Sequence, residues 1–378
     1  MIRRCMNKMA SLVAILAFIA SAVSCSRDYD FGFKDLCFYH PHTAPVKLKV
    51  DWSNFRHIEQ PTGMTVYVWS NESEEDNSRF LTHNLNAVTL DLKAGNYNAF
   101  VFNQSASEYS TLEFYNLEDF EKAEARTTVV EASWYSTKAP STKVGTEPEW
   151  LAIDCVRDIT VTDEMVAIAE EEFLAGLPEA NKNGKTRSVT KSQHEIGTLY
   201  PKSIIKKIDL YIHIDNMPFL RSALGALENL AEGCYISTRS TTSRHVTHTM
   251  EKWEIIYEKD DEGYENLMKG AIKATISTFG LPTGHTGTAE ENKLYIKLLL
   301  VDNLTMLEKE FMIGDIIADL NNYDGTQIDE NGKAIWPEVH ITWPEPLPEV
   351  EPVGGGGGSF DVGVGDWGDE IETILPLL

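Results

Sequence analysis

Two stretches of this chain alternate apolar and polar residues one for one, the period of an extended strand with one buried face. Val46, Leu48, Val50 and Trp52 alternate with Lys47, Lys49 and Asp51, and Ile208, Leu210, Ile212 and Ile214 alternate with Asp209, Tyr211 and His213. Successive strand side chains point to opposite faces, so each run places its large residues on one side of a sheet. Shorter β-rich runs follow the same logic at residues 65–69, 253–257, 272–279, 293–301 and 339–343. Val88, Leu90 and Leu92 alternate with Thr89, Asp91 and Lys93 before Ala94-Gly95-Asn96, and residues 97–102 continue as a second strand, which predicts a β-hairpin. The turn sequences at residues 260–263 and 329–332 separate further strand pairs.

Helical signals are few. Thr162-Asp163-Glu164 is an N-terminal cap for a short helix through Met165, Ile168 and Phe173, ended by Gly176 and Pro178. Leu220, Leu224, Leu227 and Ala231 recur at helical spacing before Gly233, which predicts a short helix or a pair of turns. Many short strands with little helix place the chain in the all-β class, as β-sandwiches joined by short helical connections.

The first residues are of another kind. Arg3, Arg4 and Lys8 precede an apolar stretch, and Ala22-Val23-Ser24-Cys25 has the small residues that a signal peptidase requires before a cysteine to be lipidated. The apolar stretch is shorter than the roughly 20 residues of a transmembrane helix. Residues 1–24 therefore read as a lipoprotein signal and Cys25 as the acylated first residue of the mature protein. Residues 25–43 form a tether, 44–150 a first sandwich, 151–198 a connection with the short helix, 199–344 a second sandwich, and 345–378 a tail.

The formal net charge is -25, and loss of the signal removes three basic residues more. A surface this acidic repels phosphate backbones and anionic headgroups, which excludes nucleic acid as a partner and leaves acyl chains as the membrane link. The tail contains eight acids and no Lys or Arg, with prolines, then Gly354 to Gly358, then an aromatic and aliphatic end. Such composition reads as solvated chain. Its alternative role is docking, since Phe360, Val362 and Val364 alternate and Trp367 follows. Beyond Cys5 in the signal and Cys25, Cys37, Cys155 and Cys234 remain; their spacing fits no metal knuckle, and they read as buried small hydrophobes, with one disulfide left open.

Signatures of catalysis fail on inspection. Asn183-Gly184-Lys185-Thr186 imitates the end of a phosphate loop, but Glu179 stands where the first glycine belongs. Cys37 with His40 and His42, and His245 with His248, each lack the second pair of a closed zinc site. Asp324-Gly325 and residues 329–332 lack the alternating acids of a calcium loop and read as turns. Trp52, Tyr67, Trp69 and Tyr97 are a conceivable sugar platform, though aromatics on alternating strands more often fill a core. No enzyme activity, cofactor, metal or small-molecule substrate is expected.

The sequence around Cys25, the strand ending in Trp52, the run from Leu92 through Tyr97 to Asn103, the stretch from Leu220 to Gly233 and Gly365-Asp-Trp-Gly-Asp369 together resemble a family of Bacteroides-type lipoproteins. That family is similar to the fimbrillin-associated anchor proteins, which hold a pilus base to the outer membrane. The resemblance spans nearly the whole mature chain, and its motifs are structural rather than chemical. It implies two transthyretin-like sandwiches in tandem and a lipid-anchored outer-membrane protein that serves as anchor or accessory subunit of a fimbria-like assembly, with fimbrial subunits as partners. The rival expectation is a surface glycan-binding lipoprotein. Ser26-Arg27-Asp28-Tyr29-Asp30 is a diluted form of the acidic run of surface-exported lipoproteins, so cell-surface exposure is expected, with the periplasmic face left open.

Overall fold

A computed structural model describes residues 42–55, 60–131, 133–139, 141–176 and 194–353. Strands dominate it, in line with the all-β expectation. The described residues divide into two compact units, those up to Ala125 with those of Trp150–Ile204 and Tyr235–Arg239, and those of Arg126–Glu149 with those of Ile205–Cys234 and those from Ser240 onward. This division departs from the sequence-based boundaries because strand pairing, not chain order, groups the segments. Residues 126–149 supply Val129–Val130 and Val144–Gly145 to a sheet of the second unit. Ala152–Val161, in the expected connection, pairs with Gly95–Asn103 inside the first unit.

In the first unit, Ala44–Val50 lies between Ala87–Leu92, antiparallel, and His194–Leu199, parallel. A five-stranded sheet runs in the order Lys202–Ser203, Ala152–Val161, Gly95–Asn103, Met64–Ser70, Ser78–Thr82. The alternation in the sequence sets the burial: Val46, Leu48 and Val50 join Val66, Val68, Leu90, Val101 and Val161 in one core between the sheets. The helix Asp163–Gly176 forms as expected, with the Thr162 hydroxyl accepting from the Met165 amide at 3.2 Å. Met165, Val166 and Ala169 pack on the core.

The hairpin expected at residues 88–102 is not one. Ala87–Leu92 pairs with Ala44–Val50 in the smaller sheet, whereas Gly95–Asn103 pairs with Met64–Ser70 and Ala152–Val161 in the larger. The short linker is an arch that carries the chain across the core, and Leu92 and Tyr97 at its two feet are both buried in that core. Alternation and turn residues are the same for an arch and a hairpin; only the pairing differs.

The second unit places a four-stranded sheet, Glu254–Lys259, Glu265–Thr278, Lys206–Asp215, Glu338–Thr342, against a six-stranded one. The six run in the order Met306–Met312, Lys293–Leu300, Leu220–Ala231, His245–Met250, Val144–Gly145, Val129–Val130. Leu220–Ala231 is therefore a strand, not the short helix or pair of turns expected from its spacing. Register shifts between Leu220 and Ser222 and between Leu227 and Leu230 explain the misreading. Each bulge inserts a residue, so the inward positions Leu220, Ala223, Leu227 and Leu230 fall three and four apart. Asn229 takes the left-handed φ of +60° at the second bulge.

Candidate functional site

Asp260 and Gly263 build an exposed turn of the second unit. Gly263, at φ +88°, donates to the Asp260 carbonyl at 2.9 Å, and the Asp260 carboxylate accepts from the Glu262 and Tyr264 amides at 3.0 and 2.8 Å. The resulting turn joins Glu254–Lys259 to Glu265–Thr278 as an antiparallel hairpin. Gly270 is required where the strands meet, because a Cβ there would lie 2.5 Å from the Ile256 carbonyl oxygen. From Gly270 onward the second strand is mostly buried, whereas Glu265 to Lys269 is wholly exposed, so the hairpin overhangs its own core.

The hairpin is apolar on both sides, with Ile255 and Ile256 opposite Ile272 and Ala271 and with Leu267 and Met268 in the overhang. Ile255, Ile256, Leu267 and Met268 are exposed, Ile255 by 46% and Met268 by 45%. Among the described residues, Glu254–Lys259 is also the terminal strand of its sheet, so one row of its backbone groups has no neighbouring strand there. Protected edges are usually short, charged or twisted away; here the charges around the apolar centre are mostly acidic, Glu254, Glu258, Asp261 and Glu265 beside Lys259 and Lys269. The available chemistry is association: backbone hydrogen bonds along the edge and burial of apolar side chains. The sequence carried a signal for this surface, since adjacent apolar residues in both strands, Ile255-Ile256 and Leu267-Met268, must cover both faces.

The aromatic residues do not form one platform. Tyr97 is buried in the core between the sheets of the first unit, while Tyr67 and Trp69 lie on the opposite side of the five-stranded sheet. A groove of about 670 Å³ runs there, with Asn77, Asn98 and Phe120 among its walls. Tyr67 stacks on Trp69 at 5.6 Å and on Phe102 at 6.1 Å, so its ring is used in the protein's own packing. Trp52 packs on the core and donates from Nε1 to the Leu85 carbonyl.

The other sequence candidates fall apart in space or lie outside the description. His245 is exposed and His248 is fully buried, since residues three apart in a strand face opposite ways. His42 pairs with Glu170 at 2.5 Å. Among the described residues, no three or more His, Cys, Asp or Glu converge as a metal site. The Asp324 and Asp329 carboxylates accept from backbone amides of their own turns. Cys155 Sγ donates to the Ser237 carbonyl at 3.1 Å, and burial pushes its thiol up, while Cys234 is buried. Cys25, Cys37, His40, Asn183 to Thr186, Phe360, Val362, Val364 and Trp367 lie outside the described residues. Among the described residues, no helix is long and apolar enough to cross a membrane.

Residues 24–251 match the DUF5119 family, a domain of unknown function. The chain belongs to the DUF5119 family. No curated protein matches this DUF5119 chain. Solved structures similar to it include an adhesin candidate from Bacteroides ovatus, 14% identical with a TM-score of 0.47, covering 86% of this chain and 99% of the other. A second adhesin candidate, from Bacteroides thetaiotaomicron, is 13% identical with a TM-score of 0.45 over 79% and 91% of the two chains. The fimbrial anchor protein Mfa2 from Porphyromonas gingivalis is 11% identical with a TM-score of 0.41 over 79% and 90%.

Proposed function

We propose that this DUF5119 protein is a non-enzymatic, lipid-anchored outer-membrane subunit that anchors or extends a fimbria-like surface assembly. The observation that carries the reading is the overhanging hairpin, an open sheet edge with apolar side chains on both faces. Acyl chains on Cys25 would hold the protein in the membrane, and the edge would accept a strand from a neighbouring subunit. The mostly acidic charge around it favours a partner with basic residues flanking an apolar strand. In the tail, Phe360, Val362, Val364 and Trp367 have the pattern of a segment that could itself be donated to such an edge.

Ile256→Lys with Leu267→Lys tests the hairpin. Both residues are exposed, so the folded protein should lose no more than about 0.5 kcal/mol for each change. Recovery of fimbrial subunits with the purified protein, and assembly on cells, should fall sharply. Unaltered assembly by a folded variant would reject the hairpin as the contact surface. Anchoring is tested separately: Cys25→Ala should abolish palmitate labelling and move the protein from the membrane to the soluble fraction. Continued labelling at the membrane would refute lipidation at Cys25.

A further inference from the structure

Among the described residues, Met306–Met312 is the terminal strand of the six-stranded sheet and pairs on one side with Lys293–Leu300. The Leu300 amide donates to the Thr305 carbonyl at 3.0 Å, and in an antiparallel pair bonded and non-bonded positions alternate. Leu307, Lys309 and Phe311 therefore bond to Lys293–Leu300, and Met306, Glu308, Glu310 and Met312 turn their backbone N–H and C=O groups to the open side. Leu307 and Phe311 are half-buried against the core, so the inward face is only partly closed along this edge. Lys309 lies between them on the same face. Met306 is 55% exposed, Met312 44%, and Leu304 in the preceding turn 82%.

The chain itself returns to this corner. After Glu338–Thr342 the Trp343 amide donates to the His213 carbonyl at 2.8 Å, Leu347 to Asp215 at 3.0 Å, and Val353 to Val301 at 3.2 Å. Val301 opens the turn that leads into Met306–Met312, so the tail leaves from the start of the open edge. Passing beyond that edge from Val301 takes two strand spacings, about 10 Å. The five glycines and Ser359 before Phe360 cover about 12–15 Å as unrestrained chain. Phe360, Val362 and Val364 then repeat at the spacing of Leu307, Lys309 and Phe311. Neither alternative edge suits the tail as well. Glu338–Thr342 exposes Glu338, His340 and Thr342 and no large apolar side chain, and Glu254–Lys259 lies at the far end of the other sheet.

We propose that residues 360–364 add to Met306–Met312 of the same chain as a seventh strand of the sheet, with Phe360, Val362 and Val364 extending the inward face beside Leu307 and Phe311. A segment that starts at the turn and follows Met306–Met312 runs parallel to it, and its backbone takes the open groups of Glu308 and Glu310. Asp361 falls on the outer face, where Glu308 and Glu310 are balanced by Lys138 at 3.2 Å and Lys293 at 3.6 Å. The acids that follow, Asp366, Asp369 and Glu370, suit the cation Lys309. A short linker gives an effective concentration in the millimolar range, so the contact forms without a partner. It closes one edge against unwanted pairing and leaves Glu254–Lys259 open. The contact holds whether or not the hairpin binds a fimbrial subunit.

Hydrogen exchange of the purified full chain, resolved at single amides, should show protection within residues 361–364 and at Glu308 and Glu310. In a chain ending at Val353 the Glu308 and Glu310 amides should exchange at least about tenfold faster, while Leu307 and Lys309, bonded to Lys293–Leu300, keep their rates. Val362→Asp with Val364→Asp in the full chain should have the same effect without removing the tail. Protection in the unchanged protein should be the same at about 1 and 100 μM, as a contact within one chain requires. Protection that rises with concentration would place the tail on a second copy and overturn the proposal. So would unprotected tail amides, or Glu308 and Glu310 rates unchanged in both variants.

Discussion

Val50→Asp should destabilise the first unit by about 4 kcal/mol, while Lys49→Asp, one residue away, should cost no more than about 1 kcal/mol. Val50 is 5% exposed and packs in the core between the two sheets, opposite Leu199. A carboxylate there would lose its hydration with no partner provided, and the burial of the valine would be lost as well. Lys49 points outward and pairs with Glu195 at 2.6 Å, with both side chains nearly half exposed. Such a pair contributes little, and the new aspartate would face Glu195 through water, where repulsion is screened. Urea unfolding of the two variants beside the unchanged protein measures the contrast. Similar losses from both would mean that the strand does not present alternate residues to the core.

Acidification should weaken the second unit through His248. This residue is fully buried on His245–Met250, and its Nδ1 lies 3.2 Å from the Gly145 carbonyl oxygen. A carbonyl only accepts, so Nδ1 holds the hydrogen and the lone pair sits on Nε2, which is buried and meets no donor among the described residues. Burial lowers the pKa from 6.5 to about 4, against a smaller opposing effect of the Gly145 hydrogen bond. Above pH 6.5 neither folded nor unfolded chain protonates this ring, and its contribution is constant. Between pH 6.5 and 4 the unfolded chain binds the proton and the folded one does not, so stability falls by about 1.4 kcal/mol per pH unit, approaching 3 kcal/mol at pH 4. His248→Gln removes the titration. Its stability loss between pH 7 and pH 4 should be smaller than that of the unchanged protein by about 3 kcal/mol in denaturant unfolding. Equal losses would show that His248 is not the acid-sensitive group.

The inward faces of individual strands were legible from residue order alone. Val46, Leu48 and Val50, and Ile208, Leu210, Ile212 and Ile214, are buried as their alternation requires, because neighbouring Cβ atoms in extended chain must point oppositely. The helix Asp163–Gly176 was equally local, since its cap and its apolar spacing lie within one segment. What one strand faces is not local. The arch at Gly95, read as a hairpin, and the bulged strand Leu220–Ala231, read as helical, both depended on partners distant in sequence. The same holds for surface chemistry. Ile255-Ile256 announced a two-sided apolar strand, but only the length of the buried part of Glu265–Thr278 decided that the hairpin overhangs its core. Nothing in residues 306–312 marked them as an edge; pairing with Lys293–Leu300 alone among the described residues, and the return of the chain to Val301, decided that they form one beside the start of the tail. Residue order determined which side of each strand is apolar, through the geometry of adjacent peptide units, and the tertiary structure decided which strands share an edge, through backbone hydrogen bonds that form between distant segments.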